Sequence, residues 1–123
     1  MRSRIQSFRH AIDGLRYLIQ SQHNAWIHIT ATGTVCLLGL MVDLSIVEWS
    51  MLVLSMGLVW SAEAFNTALE AVIDKVSPEF HPLAKRAKDT AAASVLLAAI
   101  AAAIVGLAIL GPKLWDLGTT LAF

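Results

Sequence analysis

The sequence predicts an all-α membrane protein: an N-terminal amphipathic surface helix and three transmembrane helices. Three observations carry that expectation. The run from Thr90 to Pro112 holds no Asp, Glu, Lys or Arg over 23 positions, enough to cross a hydrocarbon core about 30 Å thick. Hydrophobic residues make up 57% of the chain and charged residues 15%, which excludes an ordinary soluble domain. The basic residues are also sorted: eight of nine lie before the first apolar run or in and near the connection after the second. A formal net charge of zero therefore hides a one-sided distribution. With 123 residues there is room for one domain.

Taken in order, residues 5–22 read as the surface helix. Ile5, Phe8, Ile12, Leu15 and Ile19 recur at three- and four-residue spacing, with Arg4, Arg9, Asp13, Arg16 and Gln20 on other faces. Such a helix lies on a membrane with its arginines towards lipid phosphates; packing on protein is the alternative. The first span, about 25–43, falls in a stretch from Tyr17 to Val42 without Asp, Glu, Lys or Arg. The second, about 48–75, stays helix-friendly although Glu63 interrupts it. Ser77-Pro78 and His81-Pro82 then force a turn. The third span, about 84–111, is alanine-rich from Ala87 to Ala103, a surface that lets helices, and further copies of the chain, approach closely.

The positive-inside rule puts the N-terminus and the second connection in the cytoplasm, and the short acidic connection from Asp43 to Glu48 outside. Three spans then leave the C-terminus outside. Trp26, Trp49 and Trp115 fall near span ends, as an interfacial belt requires. Cys36 has no partner for a disulfide. The first 24 residues contain no compact apolar region before a small-residue cleavage site, so a cleavable signal is not expected.

The chemistry concentrates on the second span. Glu63, Asn66, Glu70 and Asp74 fall within an arc of about 80° and rise about 16 Å between the first and last. A charge at the bilayer centre costs about 2.5–3.5 kcal/mol on insertion scales, so three acids on one face call for compensation from protein, water or cations. Neither common phosphate-cradling glycine motif is present. His10, His23, His28 and His81 are scattered without zinc spacing. The remaining inventory of carboxylates, Asn66, Lys88, Asp89 and arginines suits hard cations and phosphate. Glu63, the deepest acid, could accept a hydroxyl proton as a base. It could instead be a carboxylic acid hydrogen-bonded between helices, or the site of a small ion- or proton-coupled transporter. Glu70 and Asp74 could hold a cation or pair with Lys85, Arg86 or Lys88. Taken alone, Lys88-Asp89 reads as a helix-end interface pair.

The pattern Glu63-x-x-Asn66-Thr67-Ala68-x-Glu70-x-x-x-Asp74, followed by Glu79-Phe80-His81 and Ala87-Lys88-Asp89, resembles the prokaryotic diacylglycerol kinase family, which includes undecaprenol kinases. Gly14 in the amphipathic start, the segment Asn24 with Ile27-His28, and the three-span layout extend the resemblance over most of the chain. It implies a homotrimeric kinase of the bacterial inner membrane that transfers the γ-phosphate of ATP to a membrane lipid alcohol, using Mg²⁺ and with no nucleic-acid partner. Glu63 would be the general base, and Glu70 a metal ligand. His10, Gln22, Asn66, Glu70, Asp74, Glu79, His81, Lys88 and Asp89 would form the ATP site, and Asn24, His28 and Glu63 the lipid site. The surface helix would close over ATP, with lipid entering between subunits. One position departs: the family's second acidic Mg²⁺ ligand is Gln22 here, which keeps a carbonyl oxygen and loses the charge. This implies weaker Mg²⁺ binding, a rearranged site, or a catalytically silent member. His81-Pro82-Leu83-Ala84-Lys85 and Asn24 with His28 look more like the undecaprenol branch than the diacylglycerol branch.

Overall fold

A computed structural model describes residues 2–122. The chain forms α1 (Arg2–Ser21), α2 (His23–Met41), α3 (Ile46–Val76) and α4 (Pro82–Leu121), with no strand among the described residues. The all-α membrane architecture read from the sequence is the one observed: α2, α3 and α4 are each long and apolar enough to cross a bilayer.

Local chemistry sets the helix ends. The chain breaks between α1 and α2 at Gln22 alone, whose backbone is extended at φ −112° and ψ 120°. A capping box opens α3: the Ser45 hydroxyl accepts from the Glu48 N–H, and the Glu48 carboxylate accepts from the Ser45 N–H. Ser77 and Pro78 end it. At the start of α4, His81 Nδ1 accepts from the Leu83 N–H, and Pro82 takes the first helical position, where its missing donor costs nothing.

At 1.5 Å per residue, α3 is about 46 Å long and α4 about 60 Å, so both run past a hydrocarbon core of about 30 Å. The apolar run ends at Pro112, yet α4 continues to Leu121. Proline removes one helical hydrogen bond. Immediately after it, Lys113 ties the helix to the first turn of α3 through the Glu48 carboxylate, 3.2 Å away, and to the α2–α3 connection through the Asp43 carbonyl.

Packing is most extensive between α3 and α4. The buried apolar set is small and includes Leu18, Leu52, Val59, Ile73, Val95 and Leu110, whereas Leu54, Phe65 and Leu107 are more than 70% exposed. Water would penalise such a surface; lipid, as apolar as leucine, does not. On α1, Ile5, Phe8, Ile12 and Leu15 stay exposed while Leu18 docks.

The tightest glycine contact holds α2 to the following turn. A Cβ at Gly39 would lie 2.7 Å from Trp49 Cη2 and 3.0 Å from Leu44 Cδ1. Gly39→Ala is therefore expected to destabilise the protein by about 1–3 kcal/mol through overpacking. A lowered thermal midpoint in detergent checks this. Gly33→Ala, where the added Cβ meets nothing within 4 Å, should not lower it.

Candidate active site

Helical periodicity puts Glu63, Asn66 and Thr67 on the inner side of α3, where they are the buried polar residues. Glu63 is 1% exposed. The Thr67 hydroxyl donates to the Glu63 carbonyl at 2.8 Å, so Thr67 is satisfied within its own helix. From α2, His28 brings Nε2 to 3.6 Å from Glu63 Oε2, beyond hydrogen-bond length. Neither Glu63 carboxylate oxygen nor His28 Nε2 has a hydrogen-bond partner. The His28 ring is braced by Trp60, with centroids 5.9 Å apart and planes at 66°. Trp60 Nε1 in turn donates to Thr32 Oγ1 at 3.1 Å. An unsatisfied buried polar group costs about 1–3 kcal/mol, so three such atoms together mark a place that calls for water, an ion or a polar ligand to complete the bonding.

Two turns along α3, Glu70 accepts from both neighbours: Gln22 Nε2 donates to Oε2 at 2.9 Å, and Asn66 Nδ2 to Oε1 at 3.2 Å. The break between α1 and α2 makes the first bond possible, because the Gln22 side chain does not cap α2 and reaches α3 instead. Asn66 Oδ1 is buried without a partner. No group of three His, Cys, Asp or Glu side chains able to hold a metal occurs among the described residues. The orphan Asn66 oxygen beside the Glu70 carboxylate nonetheless fits Mg²⁺, which commonly takes one or two carboxylates and shares its remaining sites with water and substrate phosphates.

Beyond Glu70, a cleft of about 390 Å³ opens where α3 turns into α4, lined by Asp74, Glu79, His81, Lys85, Lys88 and Asp89 among others. Lys88 forms an ion pair with Asp74 across the two helices, and Lys85 with Asp89 one turn along α4. His81 already uses Nδ1 as the cap of α4.

The sequence-derived residues thus fall into three groups in order along α3. Glu63 stands beside His28; Gln22, Asn66 and Glu70 are hydrogen-bonded together; Asp74, Glu79, His81, Lys88 and Asp89 share the cleft. His10 and Asn24 are exposed and make no side-chain hydrogen bond to the described residues. Sequence reasoning missed Trp60 and Thr32. Trp60 lies three residues before Glu63 and so shares its face, the one signal that could have found it.

Fold and site together define an integral membrane protein with a buried, oxygen-rich centre and, further along α3, a charged cleft. A family profile described as prokaryotic diacylglycerol kinase matches residues 9–110. The undecaprenol kinase of Bacillus subtilis (strain 168) is 40% identical over 109 residues, covering 89% of each chain. The diacylglycerol kinase of Synechocystis sp. is 44% identical over 112 residues, covering 90% of this chain and 64% of that one. The diacylglycerol kinase of Escherichia coli (strain K12) is 33% identical over 111 residues, covering 85% and 91%. The chain belongs to the prokaryotic diacylglycerol kinase family, and its enzyme class is that of a lipid kinase.

Proposed function

We propose that the protein transfers the γ-phosphate of ATP, with Mg²⁺, to the hydroxyl of a membrane lipid alcohol, undecaprenol or diacylglycerol. It would act as a homotrimer in the bacterial inner membrane, N-terminus in the cytoplasm and C-terminus outside. One observation carries the reading: a carboxylate that is 1% exposed and unpartnered lies two turns from a second carboxylate held by two amides. A base at depth suits a lipid hydroxyl, and acids nearer the charged cleft suit a cation and a nucleotide. In the transfer, Glu63 takes the hydroxyl proton as the lipid oxygen bonds to the γ-phosphorus and the bond to ADP breaks. Glu70, Asn66 and the Gln22 amide are the groups that would hold Mg²⁺, whose contribution is to neutralise phosphate charge. Lys88, His81 and the neighbouring acids, with His10 on α1, would hold nucleotide. Asn24 and His28 would hold lipid. Phosphoryl transfer asks mainly for positioning and charge compensation, which a few side chains on rigid helices supply.

The Bacillus subtilis relative and the segments around His28 and His81 favour undecaprenol. Purified protein in mixed micelles, given labelled ATP and each lipid separately, tests the acceptor. Labelled undecaprenyl phosphate is the expected product; labelling of neither lipid, beside an active relative as control, would overturn the reading and leave the catalytically silent alternative.

Gln22 gives a separate prediction. The Gln22–Glu70 bond neutralises by hydrogen bonding a place where two acids would repel. Gln22→Glu is expected to destabilise the metal-free protein and, by adding a charge to the ligand set, to lower the Mg²⁺ concentration for half-maximal activity by about tenfold. An unchanged Mg²⁺ titration would contradict this role.

A further inference from the structure

Two polar side-chain contacts join α2 to α3, one turn apart. His28 on α2 faces Glu63 on α3, with Nε2 and Oε2 3.6 Å apart. Four residues further along α2 and three residues back along α3, the Trp60 indole Nε1 donates to Thr32 Oγ1 at 3.1 Å. The two steps match in opposite directions, about 6 Å and about 4.5 Å of rise, as antiparallel helices require. On the other side of His28, the Gln22–Glu70 bond reaches α3 from the residue before α2. The His28–Glu63 contact therefore lies between two hydrogen bonds that fix the register of these segments.

The Trp60–Thr32 bond is the one side-chain hydrogen bond between α2 and α3 among the described residues. Thr30 and Thr34, the other threonines of α2, donate instead to carbonyls of their own helix. Filling space would need the Trp60 ring alone. Its N–H is aimed across the interface, and the ring stands at 66° to the His28 imidazole with centroids 5.9 Å apart. Cross-helix bonds of this kind add little stability in a bilayer, because separated spans find other partners. What the bond fixes is position. α2 rests far more lightly on α3 than α4 does, and a slip of α2 by one residue would carry His28 about 1.5 Å along and about 100° around its helix, off the Glu63 face.

We propose that Trp60 is a positioning residue for the transfer reaction: through its bond to Thr32 and its ring against His28, it holds the imidazole on the Glu63 carboxylate. This rests on the lipid-kinase reading above, in which Glu63 takes the hydroxyl proton, and adds the group that sets where that proton is taken. Neither Glu63 oxygen nor His28 Nε2 has a hydrogen-bond partner, so no bond within the protein orients the carboxylate. Nε2 and Oε2 are 3.6 Å apart, a spacing at which one oxygen can lie about 2.8 Å from each. A hydroxyl there donates its hydrogen to Glu63 and accepts from the imidazole when Nε2 carries the proton. Trp60 acts through His28 and not on the hydroxyl itself.

The test compares kcat, KM for ATP and thermal midpoint of full-length variants in mixed micelles, and follows the His28 imidazole by NMR of ¹⁵N-histidine-labelled protein. Trp60→Phe keeps a ring and loses the donor; Thr32→Val keeps the shape and loses the acceptor. Each is expected to lower kcat about tenfold or more, towards the roughly hundredfold cost of a small misplacement of reacting groups. KM for ATP and thermal midpoint should stay near wild type, and Thr32→Ser should keep most of the wild-type kcat. The double variant should be no slower than the slower single variant, as for residues acting through one bond. In a His28→Ala background, Thr32→Val should lower kcat no further. The His28 signal, identified by its loss in His28→Ala, should move in Thr32→Val and stay in place in Thr32→Ser. Thr30→Val is the control: it makes the same change two residues away, at an exposed hydroxyl bonded within α2, and should leave kcat and the signal as in wild type. Wild-type kcat in Thr32→Val would overturn the proposal, as would a loss that persists without His28 or that tracks the thermal midpoint. Where His28→Ala turns over too slowly to compare, an unmoved His28 signal in Thr32→Val overturns it and a moved one supports it. A signal that moves while wild-type protein labels no lipid would support the hold on His28 and overturn the kinase reading.

Discussion

Glu70→Gln is expected to lower kcat by about a hundredfold or more, corresponding to about 3 kcal/mol of lost charge compensation in the transition state. The substitution keeps shape and removes charge. Both carboxylate oxygens of Glu70 accept amide N–H groups, from Gln22 and from Asn66. A glutamine there can accept at only one oxygen and must turn its own NH₂ towards the other amide. With Gln22 already neutral, Glu70 is the only carboxylate in this hydrogen-bonded group, so nothing nearby replaces its charge. Activity at saturating ATP and lipid, measured across a range of Mg²⁺, checks this. Raising Mg²⁺ should recover part of the rate in Glu70→Gln, and Glu70→Asp should lose less than Glu70→Gln. Equal activity of wild type and Glu70→Gln would place the cation elsewhere.

Glu63→Gln is expected to reduce kcat by about 10²–10⁴-fold, the usual contribution of a positioned base, while nucleotide affinity stays near that of wild type. The residue stands apart from the groups proposed to hold phosphate: His28 Nε2 lies 3.6 Å from its carboxylate, and neither carboxylate oxygen is hydrogen-bonded. Glutamine fits the same volume and breaks no hydrogen bond of the carboxylate, so the protein should fold and the effect should fall on turnover. Thermal midpoint and ATP binding, measured on the same preparation, separate loss of a base from loss of structure. Retention of wild-type kcat would remove Glu63 from the chemistry.

Much of the fold was legible because single helices are local objects. The charge-free run from Thr90 to Pro112, the prolines at 78 and 82 and the apolar spacing of α1 each act within a few residues. The shared face of Glu63, Asn66 and Glu70 followed from helical arithmetic alone. Helical arithmetic says nothing of how two helices are set against each other; only the family resemblance grouped Gln22 with Glu70 and His28 with Glu63. Nothing in the periodicity of α2 says that His28 meets Glu63, or that Thr32 receives the Trp60 indole. The Gln22–Glu70 bond spans 48 residues and depends on a one-residue break between α1 and α2. Past Pro112, where α4 continues, Lys113 meets Glu48 and Asp43, again a tertiary pairing. His81 shows the opposite limit: its local role as a helix cap is hidden when the residue is read only for phosphate chemistry.

Phosphate transfer from ATP to the lipid hydroxyl beside Glu63 is proposed to need a divalent cation held by Gln22, Asn66 and Glu70. The most direct test is the rate of label transfer from γ-labelled ATP to lipid alcohol by the wild-type protein, as free Mg²⁺ is raised from chelated zero. The account predicts no transfer without the cation, a saturable rise with it, and a shift of the midpoint to lower Mg²⁺ in Gln22→Glu and to higher Mg²⁺ in Glu70→Gln. Transfer that persists under chelation, or a midpoint indifferent to both substitutions, would contradict it.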